Sequence, residues 1–157
     1  MSDTLTTPPR TAETGSKRIM WLRRSCIAVL SLLIIESALG AAVSLYAAIP
    51  AADHNTGLGT AFARALSNPP ANLAVHTAIG LLLVIGAVSA FARSIPTRRP
   101  AVIAASLIGL LAIIAAALSG AGFVSHGQAS ASMAMAAATA VAALAYLVNT
   151  VALSRGE

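Results

Sequence analysis

Four long runs of apolar residues, 25–49, 71–92, 101–121 and 131–153, divide the chain. Each has the roughly 20 residues that a helix needs to cross about 30 Å of hydrocarbon. Pro50 closes the first run, Pro69 and Pro70 open the second, and Pro100 opens the third. Proline is tolerated at a helix start because the first-turn N–H groups lack intrahelical acceptors. None of the runs alternates polar with apolar residues, and an open sheet edge has no place in lipid. The pattern therefore predicts an all-α, polytopic integral membrane four-helix bundle, with 21–157 as the helical domain. Residues 1–20 begin Thr/Pro-rich and lack apolar periodicity, so they read as a disordered cytoplasmic tail.

Small residues give a first picture of the packing. Helices in lipid gain little by hiding Leu from Leu, so close contact of small side chains holds them together. In the third run Ala105, Gly109, Ala112, Ala116 and Gly120 recur at helical spacing as one smooth stripe. Gly40, Ser44 and Ala47 in the first run and Gly80 and Ala87 in the second offer similar faces. The fourth run is small nearly all round. A tight bundle with Leu and Ile turned to lipid is the expectation.

Composition excludes the soluble alternatives. The chain has 157 residues, of which 57% are hydrophobic and 10% charged, too few charges to cover a water-facing exterior. The net charge of +5 does not signal nucleic acid, because the basic residues flank apolar runs and are not interleaved with aromatics. Arg10, Lys17, Arg18, Arg23, Arg24, Arg93, Arg98, Arg99 and Arg155 fall on one side of the four spans, and Arg64 on the other. Under the positive-inside rule both termini lie in the cytoplasm, and the Ala-rich composition points to a bacterial inner membrane. The twin arginine at 23–24 precedes an apolar run well beyond the 7–15 residues of a signal core, so the first run is expected to be retained. Cys26 is the single cysteine and reads as a small buried residue.

A few polar residues interrupt this pattern. Glu36 lies eleven residues into the first run, about 16 Å deep at 1.5 Å per residue, and shares a face with Gly40, Val43 or Ser44, and Ala47. An ionisable group at that depth faces the bundle interior. It is expected to act as a neutral interhelical clamp toward Thr139 or Tyr146, or as a proton site, and to stand far from the histidines. His54, His76 and His126 all fall toward the non-basic side. His76 with His126 is a candidate haem ligand pair, with Gly80 one turn from His76 leaving room for a flat macrocycle. His54 and His126 with Met133 and Met135 are candidate copper ligands, since thioethers suit Cu(I). Thr60 to Leu66 reads as a short interfacial helix. No phosphate loop, HExxH, carboxylate pair or nucleophile constellation occurs.

The stretch NLAVHTAIGLLLVIGAV at 72–88 resembles the outer half of a haem-ligating helix in the four-helix units of the haem A synthase family. SALGAAVSLY at 37–46 is similar to that family's odd-numbered helices. The resemblance implies haem and carries His76 across as a ligand. That family also places a His in the fourth helix of each unit; here the fourth run has none and His126 stands just before it. The family's outer-loop acid corresponds at best to Asp53.

Two functional expectations follow. The first is a small non-enzymatic accessory or assembly subunit of a larger, respiratory-type membrane complex, with the lipid bilayer and other membrane subunits, or a second copy, as partners. The alternative is a b-type haem or quinone-linked electron-transfer protein using His76 and His126.

Overall fold

The computed structural model describes residues 10–46, 57, 59–60, 63, 71–126 and 129–155, and side chains over 15–42, 57, 59–60, 63, 74–123 and 130–155. Four helices make up these segments: α1 Arg10–Tyr46, α2 Ala71–Ser94, α3 Pro100–His126 and α4 Ala129–Ser154. Each contains a stretch long and apolar enough to cross a membrane. Three of the four match their apolar runs closely. The first begins much earlier, so residues 10–20 are helical where a disordered tail was expected. Pro8 and Pro9 precede the helix start, and Glu13 stands four residues before Lys17, a spacing that supports a helix without any apolar face. The 60–66 interfacial helix lies largely outside the described residues.

α2 and α3 are joined by a tight connection, the 3₁₀ turn Ile95–Thr97. Side chains close it: Ser94 Oγ donates to Phe91 O at 2.7 Å and Thr97 Oγ1 to Ser94 O at 2.6 Å. Arg98 takes the left-handed conformation at φ 54° and its N–H returns to Ile95 O. Arg24 stacks on Trp21 with its guanidinium carbon 5.6 Å from the ring centroid. Arg93 donates to Ser25 at 2.7 Å, linking α2 to α1. This end, which also carries Arg99 and Arg155, is called the basic end below, and the opposite one the far end.

Each helix packs against two neighbours, in the ring order α1–α2–α3–α4. Three close approaches set the register of α3 on α4. Ser106 meets Asn149, Gly109 meets the Tyr146 ring, and Gly120 meets Met135 Sδ. In each pair the two residue numbers sum to the same value, as antiparallel helices in a fixed register require. With its amide turned so that Oδ1 faces Ser106, Asn149 accepts from Ser106 Oγ at 2.9 Å and donates to Val102 O at 3.2 Å. Both residues are fully buried, so the pair satisfies polar groups that have no water to turn to.

The core occupies only half of the bundle. Leu22, Cys26, Val29, Leu33, Leu83, Ala87, Ala90, Val102, Ile113, Ala142, Tyr146 and Leu153 form one buried cluster, and every one lies toward the basic end. Cys26 is buried as its sequence context suggested. Long aliphatic side chains such as Ile34, Ile85, Leu111 and Leu144 point outward. The small-residue stripe of α3 divides accordingly. Ala105 and Gly109 pack in the core, whereas Ala116 and Gly120 border open space. The expectation of a tight bundle therefore holds for one half and fails for the other.

A β-carbon at Gly109 would lie 2.7 Å from Tyr146 Cε2, closer than real side chains approach, while one at Gly122 would meet nothing within 4 Å. Gly109→Ala is expected to destabilise the folded bundle by about 1–3 kcal/mol through overpacking. Gly122→Ala is expected to be neutral or slightly stabilising through helix propensity. Unfolding of both variants in mixed micelles by SDS titration checks the contrast.

Candidate functional site

The far half of the bundle holds a partly open cavity of about 770 Å³ bordered by all four helices. Leu33, Leu83 and Ile113, each at most 4% exposed, form its floor and are also the upper layer of the core. Its walls are made largely of Gly and Ala: Gly40 and Ala41 on α1, Gly80 on α2, Ala116, Ala117 and Gly120 on α3, Ala136 and Ala140 on α4. Small side chains that would draw helices together elsewhere here leave space between them. The volume falls within the roughly 300–1,000 Å³ of small-molecule sites.

Two ionisable groups lie on this apolar wall. Glu36 Oε1 stands 3.0 Å from His76 Nδ1, with side-chain exposures of 14% and 18%. The oxygen approaches off the axis of the ring N–H, so the contact is a close polar pair and not a well-aligned hydrogen bond. Glu36 Oε2 is buried with no partner.

Two glycines make the pairing possible. A β-carbon at Gly80 would lie 3.1 Å from Glu36 Oε1, and one at Gly40 would lie 3.3 Å from His76 Cε1. Each polar residue is thus followed four positions later, on its own helical face, by the glycine that admits the other. Gly86 against Val29 and Arg93 against Ser25 continue the same antiparallel register toward the basic end.

This geometry revises several expectations. Glu36 was placed by counting along α1 alone, which put it near mid-span and remote from the histidines. The α1–α2 register instead sets it level with residues 76–80, and His76 is its neighbour. Neither expected clamp partner takes that role. Thr139 borders the cavity but donates to Met135 O in its own helix at 2.8 Å. Tyr146 is fully buried against Gly109 in the packed half, its hydroxyl unpartnered. Gly80 makes room for Glu36 and not for a macrocycle.

The remaining candidates separate. Met133 is 75% exposed on the outside of α4, while Met135 faces the cavity, its Cε 3.8 Å from the Gly40 β-carbon position. Residues two apart on a helix cannot share a face, so the two methionines do not converge. His54 lies outside the described residues. His126 is the last residue of α3, and its side chain lies outside the described ones. His76 is 18 residues before the end of α2, level with residue 118 of α3, so the His126 backbone stands about 12 Å further toward the far end at 1.5 Å per residue. Among the described residues no group of three or more His, Cys, Asp and Glu converges on a metal position.

The partnership of Glu36 with His76 was missed by a reading that treated each residue separately. The repeated spacing Glu36/Gly40 and His76/Gly80 was the available signal, because a glycine one turn from an intramembrane polar residue marks where another helix approaches. Comparison with known protein families, with curated protein sequences and with solved structures gives no match.

If Glu36 and His76 stabilise each other, their losses are not additive. A double-mutant cycle of Glu36→Ala and His76→Ala, read by SDS unfolding, is expected to give a coupling of about 1–3 kcal/mol. Additive losses would show that the two side chains are adjacent without interacting.

Proposed function

We propose that this chain is a non-enzymatic, multi-pass binding protein of a bacterial inner membrane, with both termini in the cytoplasm. It acts as an accessory subunit that takes up one apolar small molecule in the far-end cavity. The observation that carries this reading is the Glu36–His76 pair on the wall of a 770 Å³ apolar space. Apolar walls favour an apolar body, and a few placed polar groups orient it, the usual division of labour in ligand sites. The nine-to-one distribution of basic residues supports the orientation, which places the cavity toward the non-cytoplasmic side.

A second reading has a specific observation in its favour. A histidine that ligates a metal usually has its other ring nitrogen held by a carboxylate or carbonyl, which fixes the ring. Glu36 stands in that position toward His76 Nδ1, leaving Nε2 as the ligating nitrogen. His76 would then hold haem iron from one side, with Met135 as the nearest soft group across the cavity. Haem would supply one-electron chemistry to the site.

Both readings are tested on the purified protein in lipid nanodiscs. A fluorescent apolar probe is expected to bind saturably at one site per chain, and Ala140→Trp, which fills the cavity from α4, is expected to weaken binding at least about tenfold. Saturable binding that survives Ala140→Trp would place the ligand elsewhere. For the second reading, added haem is expected to give a Soret band that His76→Ala removes; without that band the haem reading ends.

A further inference from the structure

Six polar side chains border the cavity, Glu36, Ser37, His76, Thr77, Ser132 and Thr139, and two of their hydroxyls have already given their protons away. Ser37 Oγ donates its proton to Leu33 O at 2.7 Å, and Thr139 Oγ1 donates its proton to Met135 O at 2.8 Å. Each hydroxyl has one proton to give, so what these two side chains still offer is oxygen lone pairs. Glu36 adds to the same set. Its Oε1 stands 3.0 Å from His76 Nδ1, and its Oε2 has lone pairs to offer. Oε2 is also an orphan, buried with no partner, as is His76 Nδ1. Glu36 itself borders the cavity, and its terminal carboxyl torsion is broad. These acceptors sit on two adjacent helices, Glu36 and Ser37 on α1 and Thr139 on α4.

An acceptor-lined wall discriminates between heads that donate hydrogen bonds and heads that only accept. A carbonyl oxygen placed beside Glu36 leaves two acceptors facing each other in an apolar site. A hydroxyl satisfies the orphan. We propose that the cavity selects a molecule with an apolar body and a hydrogen-bond-donating hydroxyl head, a quinol over the corresponding quinone. This inference rests on the binding reading above and adds the chemistry of the head.

A hydrogen bond to a charged or strongly polar acceptor is worth about 1.5–3 kcal/mol. A preference of at least about tenfold is therefore expected. By linkage, tenfold tighter binding of the reduced form raises the midpoint potential of the bound two-electron couple by about 30 mV.

The test is anaerobic displacement of the fluorescent apolar probe from the nanodisc-embedded protein by three compounds: a short-tailed benzoquinol, its quinone, and the quinol's dimethyl ether. The ether keeps the ring and tail and loses only the donors. Quinol is expected to displace the probe at about one-tenth the concentration needed for the quinone or the ether. In Glu36→Gln, whose carboxamide supplies a donor of its own, the quinol–quinone gap is expected to close to within about threefold. Equal displacement by all three compounds, or tighter quinone binding, overturns the inference while leaving the binding reading intact. So does a probe that binds and is displaced by none of them. A probe that never binds saturably overturns the binding reading itself. The wild-type comparison of quinol with its ether stands even if Glu36→Gln fails to fold.

Discussion

A carboxyl group enclosed by apolar helices has to find its partner inside the protein, because neither lipid nor a neighbouring Leu can solvate it. Glu36 meets this constraint with one contact, His76 at 3.0 Å on the next helix. The contact in turn depends on two absent side chains. Gly40 and Gly80 lie against the imidazole and the carboxyl group, and a β-carbon there would make the group it faces give way by a few tenths of an ångström. The pair therefore fixes how closely α1 and α2 approach and in what register. It is also self-protecting in an energetic sense: losing one member strands the other, and breaking a buried pair typically costs 3–5 kcal/mol.

That register divides the molecule into two unlike halves. Toward the basic end, Val29 fits against Gly86, Tyr146 against Gly109, and Asn149 against Ser106. Toward the far end the same residue types do the opposite. Gly120, Ala116 and Ala140 face a space that no large side chain enters fully; Met135, which crosses toward Gly40, intrudes furthest. Leu33, Leu83 and Ile113 belong to both halves, so the floor of the cavity is as rigid as the core beneath it.

The helices themselves were legible in the sequence because hydropathy and proline placement are local signals. The 71–92, 101–121 and 131–153 runs differ from α2, α3 and α4 by a few residues at their ends. The early start of α1 was missed because its first turns are polar and stand outside any apolar run. The Glu36–His76 pair depends on the register between two helices, which hydropathy does not encode; only the paired glycine spacing marks it. Counting depth along α1 placed Glu36 opposite nothing charged. The methionine error has a different origin: Met133 and Met135 are near in sequence but point to opposite sides of α4, as helical periodicity alone would have shown. His54 and the side chain of His126 lie outside the described residues, so nothing in the fold tests them as ligands.

The cavity is partly open to the surroundings of the bundle, so it is filled when the protein is in its membrane. Water fills polar cavities, where each molecule finds two to four partners; walls of Ala, Gly, Leu and Ile supply few. The filler is therefore mainly apolar, a lipid chain by default or a dedicated molecule by selection. A lipid chain has no use for Glu36, and an alanine at that position would line the cavity at lower cost. The placement of a carboxyl–imidazole pair on this wall makes physical sense when the occupant has a polar head for it to hold.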